Sequence, residues 1–219
     1  MKHDKAIEYW DRLASNNPSE RSVKVNPQND FTSIDAEFIG RYTNSTSRVL
    51  DLASGTGLIV NKYYNKVEHI DAVEKYPEFS KYTVNAPNVD VYNEDILDFQ
   101  PNRKYDIMLM FGVVQYFSED EVLKVYDRYV ESLKPEGKLI IKNQFGVDGD
   151  VEVAGISEEI GQEYVSQYRH IDKEVALLES VGYRDIDVVD IYPPEANRWS
   201  NTHFYAVVAA RGIGRQLNS

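Results

Sequence analysis

Residues 48–60 read RVLDLASGTGLIV. An apolar run closes on an acid, Asp51, and breaks into small residues with glycine at 55 and 57 before apolar residues resume. Continuous apolar runs suit strands buried on both faces. Glycine lets a backbone turn left-handed or come close to another group. The stretch therefore predicts a buried strand followed by a loop that approaches something closely.

Outward from this point strand and helix alternate. The pattern predicts strands at 67–75, 88–93, 104–114 and 138–145, with helices at 57–64, 76–85 and 118–133 between them. The last helix opens on a capping box, Ser118 with Glu121 three positions on. Such alternation means a parallel sheet covered on both faces. The C-terminal third differs. After an acidic loop at 147–161 comes a helix at 172–183, then strands at 184–192 and 202–210 joined by a short link. A link that short suits an antiparallel pair rather than another crossover. On the N-terminal side, the first fifteen residues and residues 31–42 have helical spacing.

The expected fold is thus α/β: a single three-layer, doubly wound, mostly parallel seven-stranded sheet with an antiparallel C-terminal edge strand and an N-terminal helical extension. One domain spans 1–219, with a helical cap at 1–45, a core at 46–145, a loop, helix and edge strands at 146–210, and a tail at 211–219. The chain has 219 residues, 42% hydrophobic and 27% charged, enough for one sizeable core.

Composition narrows the function. With no cysteine among its residues, the chain has no disulfide scaffold, thiolate metal site or cysteine nucleophile. The charge of −12, from 36 acids against 24 bases, comes without a basic cluster, which argues against nucleic acid as a partner. No signal peptide or membrane-length apolar run is present, and a cytoplasmic monomer or homodimer is expected. No metal is expected either: Asp148-Gly149-Asp150-Val151-Glu152 lacks the spacing of a calcium loop.

The loop itself separates three readings. A dinucleotide fingerprint needs three glycines, whereas Ala53, Gly55 and Leu58 stand at those places, and no Gly-Lys-Ser/Thr follows for a phosphate loop. Asp51-Leu52-Ala53-Ser54-Gly55-Thr56-Gly57 resembles instead the first motif of the class I S-adenosylmethionine-dependent methyltransferases, with alanine in place of the family's first glycine. That change is mild only if φ at Ala53 is negative. The resemblance extends motif by motif over about residues 46 to 145. Glu74 lies twenty-three residues after Asp51, at the end of the next strand; Asp95 and Ile96 match an acid and apolar pair; and 105–121 and 133–141 resemble the later motifs.

The resemblance implies S-adenosylmethionine as cofactor and S-adenosylhomocysteine as product. It implies binding by Asp51, Ala53, Gly55, Gly57, Glu74, Lys75, Asp95, Ile96 and Phe111, with Glu74 accepting the ribose hydroxyls and Asp95 the adenine amino group. Glu74 alone would serve an NAD ribose equally well, and Asp95 alone would suit a turn. The implied acceptor pocket draws on Tyr9, Trp10, Gln115, Tyr116, Asn143, Gln144 and the run 192–205 with Trp199, Asn201 and His203. His203 and His170 are the candidate general bases, with Glu195 a further one. The expected acceptor is a small polar metabolite, methylated on oxygen or nitrogen, such as a sugar or nucleotide-linked sugar whose phosphate would meet Arg169 and Arg198. Two other classes stay open: a binding module that has lost transfer, and an NAD-type oxidoreductase.

Overall fold

A computed structural model describes residues 2–16, 18–23, 30–156, 163–197 and 199–212. Four parallel-type strands open the sheet: β1 (Arg48–Leu52), β2 (His69–Val73), β3 (Val89–Tyr92) and β4 (Tyr105–Phe111). Then come β5 (Leu133–Gly146), a small hairpin of β6 (Val151–Ile156) and β7 (Glu163–Tyr168), and the closing strands β8 (Tyr183–Asp190) and β9 (Thr202–Arg211). The seven-stranded sheet runs β3-β2-β1-β4-β5-β9-β8. β1 pairs in parallel with both β2 and β4, so the winding reverses at its C-terminal end. That reversal opens a crevice between the loops. β9 is antiparallel to both neighbours and lies between β5 and β8, which takes the edge.

Alternation along the buried strands divides the core into two. Leu50, Leu52, Met108, Met110, Leu139 and Ile141 face α5 (Glu119–Val130) and α6 (Ile171–Ser180), meeting Val122, Val125, Leu177 and Leu178. Val49, Ile70, Ile107, Leu109 and Ile140 face the opposite side, against Phe38 and Ile39 of α2 (Thr32–Gly40) and Val60 and Tyr63 of α3 (Val60–Tyr63). Each such aliphatic side chain contributes about 1.5–3 kcal/mol on full burial. α5 opens on the expected capping box, with the Ser118 hydroxyl accepting from the Glu121 N–H and the Glu121 carboxylate accepting from the Ser118 N–H.

Three local expectations change. α3 begins only at Val60, because Gly57 has φ +71 and cannot lie in a right-handed helix. The helix α4 after β2 is one turn, Pro77–Ser80, rather than ten residues. The acidic stretch expected as a loop contains β6, paired antiparallel with β7. Its acids stand beside a period-two pattern, Val151 and Val153 alternating with Glu152 and Ala154. The hairpin packs against α1 (Lys2–Ser15) and the single turn Val114–Tyr116 after β4.

A buried charge fixes that arrangement. Arg169, at the end of the hairpin, is 2% exposed and Glu174 of α6 is fully buried. Arg169 Nε donates to Glu174 Oε2 at 2.5 Å, Nη1 to the Phe117 carbonyl at 2.9 Å and Nη2 to the Val114 carbonyl at 3.0 Å. The Tyr126 hydroxyl donates to the other Glu174 oxygen. Arg169 therefore ties hairpin, α6 and the loop after β4 together, and it is not the phosphate partner expected from sequence. Removing one member of a buried pair strands the other charge. Glu174→Gln is expected to lower unfolding free energy by about 3–5 kcal/mol in a denaturant titration, whereas Lys173→Gln, on a partly exposed side chain, should change it by less than about 1 kcal/mol.

Candidate functional site

The loop after β1 is held by backbone and one carboxylate. The Ser54 N–H donates to the Val73 carbonyl at 3.0 Å, and Gly57 N–H to the Ser54 carbonyl at 3.0 Å. Glu74, just past β2, accepts from Gly55 N–H at 2.9 Å through Oε2 and from Tyr76 N–H at 3.0 Å through Oε1. Ala53, Gly55 and Gly57 all have left-handed backbones, at φ +62, +58 and +71. The condition for a mild change at Ala53 is therefore not met: an alanine occupies a left-handed position, which costs about 1–2 kcal/mol. A Cβ on Gly57 would lie 2.8 Å from Thr83 Cα, while one on Gly55 would meet only the Val23 side chain, at 3.3 Å.

This loop forms one wall of a cleft of about 360 Å³ at the C-terminal ends of the parallel strands, within the usual range for small-molecule sites. On the β2–β3 side stand Glu74, Lys75, Glu94, Asp95 and Ile96; Asp51, Ser54 and Phe111 stand at the centre; Lys142, Asn143, Gln144, Tyr192 and Phe204 stand on the β5, β8 and β9 side. Trp10 of α1, Tyr76, Phe79 and Tyr116 form an aromatic part of the lining, and Trp10 meets Phe79 and Tyr116 edge-on at 6.0 and 5.7 Å. Asp95 uses Oδ1 to accept the Leu97 N–H at 2.9 Å and Oδ2 to pair with Lys75 at 3.2 Å.

Among residues expected from sequence, the cleft brings together Asp51, Ala53, Gly55, Glu74, Lys75, Asp95, Ile96, Phe111, Gln115, Tyr116 and Asn143. Gly57 supports the loop from behind, against Thr83. Tyr9, Trp199, Asn201, His203 and His170 are not part of the lining. Tyr9 is buried beside Trp10, and Trp199 rests on the outer side of Tyr168, at 5.9 Å. The Asn201 carbonyl accepts from Val147 N–H at 3.0 Å. His203 lies next to Phe204 on β9, so alternation turns it away; its ring nitrogens meet Asn197 at 2.9 Å and Asp190 at 3.0 Å. His170 precedes α6, with Nε2 2.8 Å from the Val147 carbonyl. The Glu195 side chain and Arg198 lie outside the described residues.

Sequence reading missed a second polar cluster in the cleft. Lys142 Nζ donates to Asp35 Oδ2 and to the Tyr192 hydroxyl, both at 2.9 Å, and the Tyr192 hydroxyl donates to Asp35 Oδ1 at 2.5 Å. The ammonium also lies over the Phe111 and Tyr192 rings, 5.0 and 5.4 Å from their centroids. Burial and the Asp35 charge raise the Tyr192 phenol, which therefore stays a donor. Two lining atoms are buried without a hydrogen-bond partner, Ser54 Oγ and Asn143 Oδ1. Away from the cleft, His69, Asp71 and Asp90 have ligand atoms within 4.8 Å of one another, but the Arg103 guanidinium already meets both carboxylates, at 3.3 and 3.6 Å.

Burial pushes Asp51 up to about 7, with the Glu74 charge adding and Lys142 opposing. Burial likewise pushes Glu74 up to about 7, against the two backbone donors that hold its charge and with the nearby Asp95. In the unfolded chain both groups lose their protons near pH 4. Between about pH 4 and 7 the folded state thus holds more protons, so stability falls as pH rises through that window. The ligand-free protein should melt several degrees higher at pH 5 than at pH 8, and Glu74→Gln should flatten part of that slope in thermal scans. In the loop, Gly57→Ala should cost about 2–3 kcal/mol, while Ala53→Gly should gain about 0.5–1 kcal/mol, both read by denaturant unfolding.

Residues 49–137 match a family model described as a methyltransferase domain. A zebrafish (Danio rerio) protein, N-terminal Xaa-Pro-Lys N-methyltransferase 1, is 21% identical over 164 residues, covering 67% of this chain and 72% of that protein. The fold is similar to that of a Leishmania major S-adenosylmethionine-dependent methyltransferase, with a TM-score of 0.71 and 19% identity over 94% of this chain and 82% of the other. It is also similar to phosphoethanolamine N-methyltransferase 1 of Haemonchus contortus, solved with phosphoethanolamine and S-adenosylhomocysteine; the TM-score is 0.76 and identity 15%, over 100% of this chain and 51% of that one. At these identities the structural likeness is one of fold. The match places a methyltransferase domain over residues 49–137, which hold most of the first strand, the left-handed loop, Glu74 and Asp95, and the fold around it is shared with S-adenosylmethionine-dependent methyltransferases.

Proposed function

We propose that this enzyme transfers a methyl group from S-adenosylmethionine to nitrogen or oxygen of a small polar acceptor seated on the β5, β8 and β9 side of the cleft. The observation that carries this reading is the Glu74 carboxylate, fixed by Gly55 and Tyr76 N–H groups at the mouth of a left-handed loop. A carboxylate so placed fits the ribose hydroxyls of an adenosine. The unpartnered Ser54 hydroxyl in the same loop offers a further polar contact, and Ile96 beside Asp95 offers an apolar wall for a base. These residues fit the cofactor: Glu74 would hold the ribose, Asp95 and Ile96 the adenine, and Asp51, Ser54 and Gly55 the methionine end.

When bound, S-adenosylmethionine supplies a methyl group already activated on a sulfonium sulfur. The chain's own part is to align and to exclude water. Trp10, Tyr76, Phe79 and Tyr116 give the cleft an aromatic lining, and Arg169 holds the loop that carries Gln115 and Tyr116. An oxygen acceptor would need a base and an amine none beyond its own neutral form. With His203 and His170 engaged outside the lining, the site suits an acceptor that needs little help losing a proton. The NAD-type reading has nothing added to it here, since Leu58 at the third-glycine position lines the cleft with its side chain.

Calorimetric titration checks the cofactor half. S-Adenosylmethionine and S-adenosylhomocysteine should bind in the micromolar range and NAD should not. Glu74→Ala should weaken both by at least about tenfold, the loss expected for hydrogen bonds to a charged group. Binding of NAD alone, or equal binding by wild type and Glu74→Ala, would remove the basis of this reading.

A further inference from the structure

The charge and ring content of the cleft carry the reading further than a small polar acceptor. Ten of the cleft-lining residues are aromatic, six of them Phe or Trp and four Tyr. Five lining residues carry carboxylates, against two lysines. Each lysine is taken by its own acid, Lys75 by Asp95 at 3.2 Å and Lys142 by Asp35 at 2.9 Å. Among the described residues, that leaves no lining cation free to meet a phosphate, while the carboxylates without a lysine, Asp51, Glu74 and Glu94, stand at the centre and on the cofactor side. Arg169 is spent inside the fold. A phosphorylated or nucleotide-linked sugar therefore finds no free cation where it needs a partner.

The opposite kind of ligand is well served. A cation gains from aromatic faces and carboxylates in a partly dry cleft. The protein's own chemistry gives an internal example: the Lys142 ammonium rests against the Asp35 carboxylate, the Tyr192 hydroxyl and two ring faces. Next to it on β5, Asn143 is 2% exposed. Its Nδ2 donates to the Gln144 carbonyl at 2.9 Å, which fixes the orientation of the amide, since only the nitrogen can donate. Oδ1 is then a buried acceptor without a partner among the described residues, on a side chain that lines the cleft. A buried carbonyl oxygen left unpaired is costly, and an N–H group from a ligand would satisfy it.

We infer that the methyl acceptor is a small organic amine, oriented by an N–H donated to Asn143 Oδ1 within the aromatic acceptor half of the cleft; this rests on the methyltransferase reading above. The neutral amine nitrogen forms the new N–C bond with its lone pair as the methyl C–S bond breaks, its electrons passing to sulfur to leave a thioether. The extra proton on the methylated nitrogen passes to water. Asn143 is a specificity-determining residue in this scheme, and it takes no proton.

Matched ligand pairs test the inference on the full chain saturated with S-adenosylhomocysteine. Benzylamine against benzyl alcohol, tyramine against its alcohol analogue, and a dipeptide with a free N-terminus against its N-acetyl form would be compared by thermal shift, with a uridine diphosphate sugar alongside. Methyl transfer from S-adenosylmethionine to the same compounds would be followed by product mass. The amines should stabilise the protein and gain 14 Da, with rates rising from pH 7 to 9 as more amine becomes neutral. Asn143→Leu should weaken amine binding at least tenfold while leaving S-adenosylhomocysteine affinity within about twofold, and Asn143→Asp, which keeps an acceptor oxygen, should retain it. Preference for the alcohols or the nucleotide sugar, no amine response at all, or unchanged amine binding in a folded Asn143→Leu protein overturns the amine assignment. Failure to bind S-adenosylhomocysteine overturns the methyltransferase reading instead.

Discussion

The hydrogen bond from Gly55 N–H to the Glu74 carboxylate is the contact on which the site depends. It joins the loop after β1 to the end of β2, two segments that the sheet alone brings only side by side. Both ends of the bond are unfavourable apart. The loop needs three left-handed residues in five positions, one of them alanine, and the carboxylate is 6% exposed. A buried carboxylate without donors would give up its charge. The bond supplies a donor to the acid and an anchor to the loop, so each compensates part of the other's cost.

From that contact the cleft widens across the sheet. The winding reverses between β1 and β4, so no crossover covers the strand ends there. Walls come from outside the sheet instead: α1 and α2 from the N-terminal segment, and the β6–β7 hairpin from the segment after β5. Arg169 and Glu174 hold the hairpin side, and Lys142, Asp35 and Tyr192 hold α2 to the ends of β5 and β8. Both clamps place a charge in a poorly hydrated position, where geometry is enforced because a loosened partner leaves an unpaired ion. The two walls are therefore held by directional contacts, while the floor is held by apolar packing.

This division explains what was legible in the sequence. Strands buried on both faces announce themselves as apolar runs, and the loop and Glu74 lie within one strand-loop-strand unit, so their relation is a matter of spacing along the chain. The clamp of Asp35 with Lys142 and Tyr192 spans separations of 107 and 157 residues, and no local pattern reveals such a meeting. Residues 192–205 were identifiable as lining the site, but not which of them: Tyr192, Ala196 and Phe204 line it and Trp199, Asn201 and His203 do not. At Phe204 and His203 the difference is one step along a strand, where a shift of a single residue reverses the face. Arg169 read as a partner for a phosphate because sequence gives its charge but not its burial. Ala53 depended on a dihedral angle that composition does not contain.

The two halves of the cleft differ in what they are made of, and this has a consequence for how specificity is set. The cofactor half is built from backbone N–H groups, loop conformation and one acid at the end of each of β2 and β3. Changing a side chain there disturbs the loop itself, as the close approach of Gly57 to Thr83 illustrates. The acceptor half is built from side chains on α1, α2, β5, β9 and the segment after β8, elements whose own folding rests on residues facing away from the cleft. Substitutions at Gln115, Asn143 or Phe204 therefore alter the shape and charge presented to an acceptor without altering the sheet. A fold arranged in this way keeps one cofactor site constant while the partner across it varies, because the physical demands of the two halves fall on different residues.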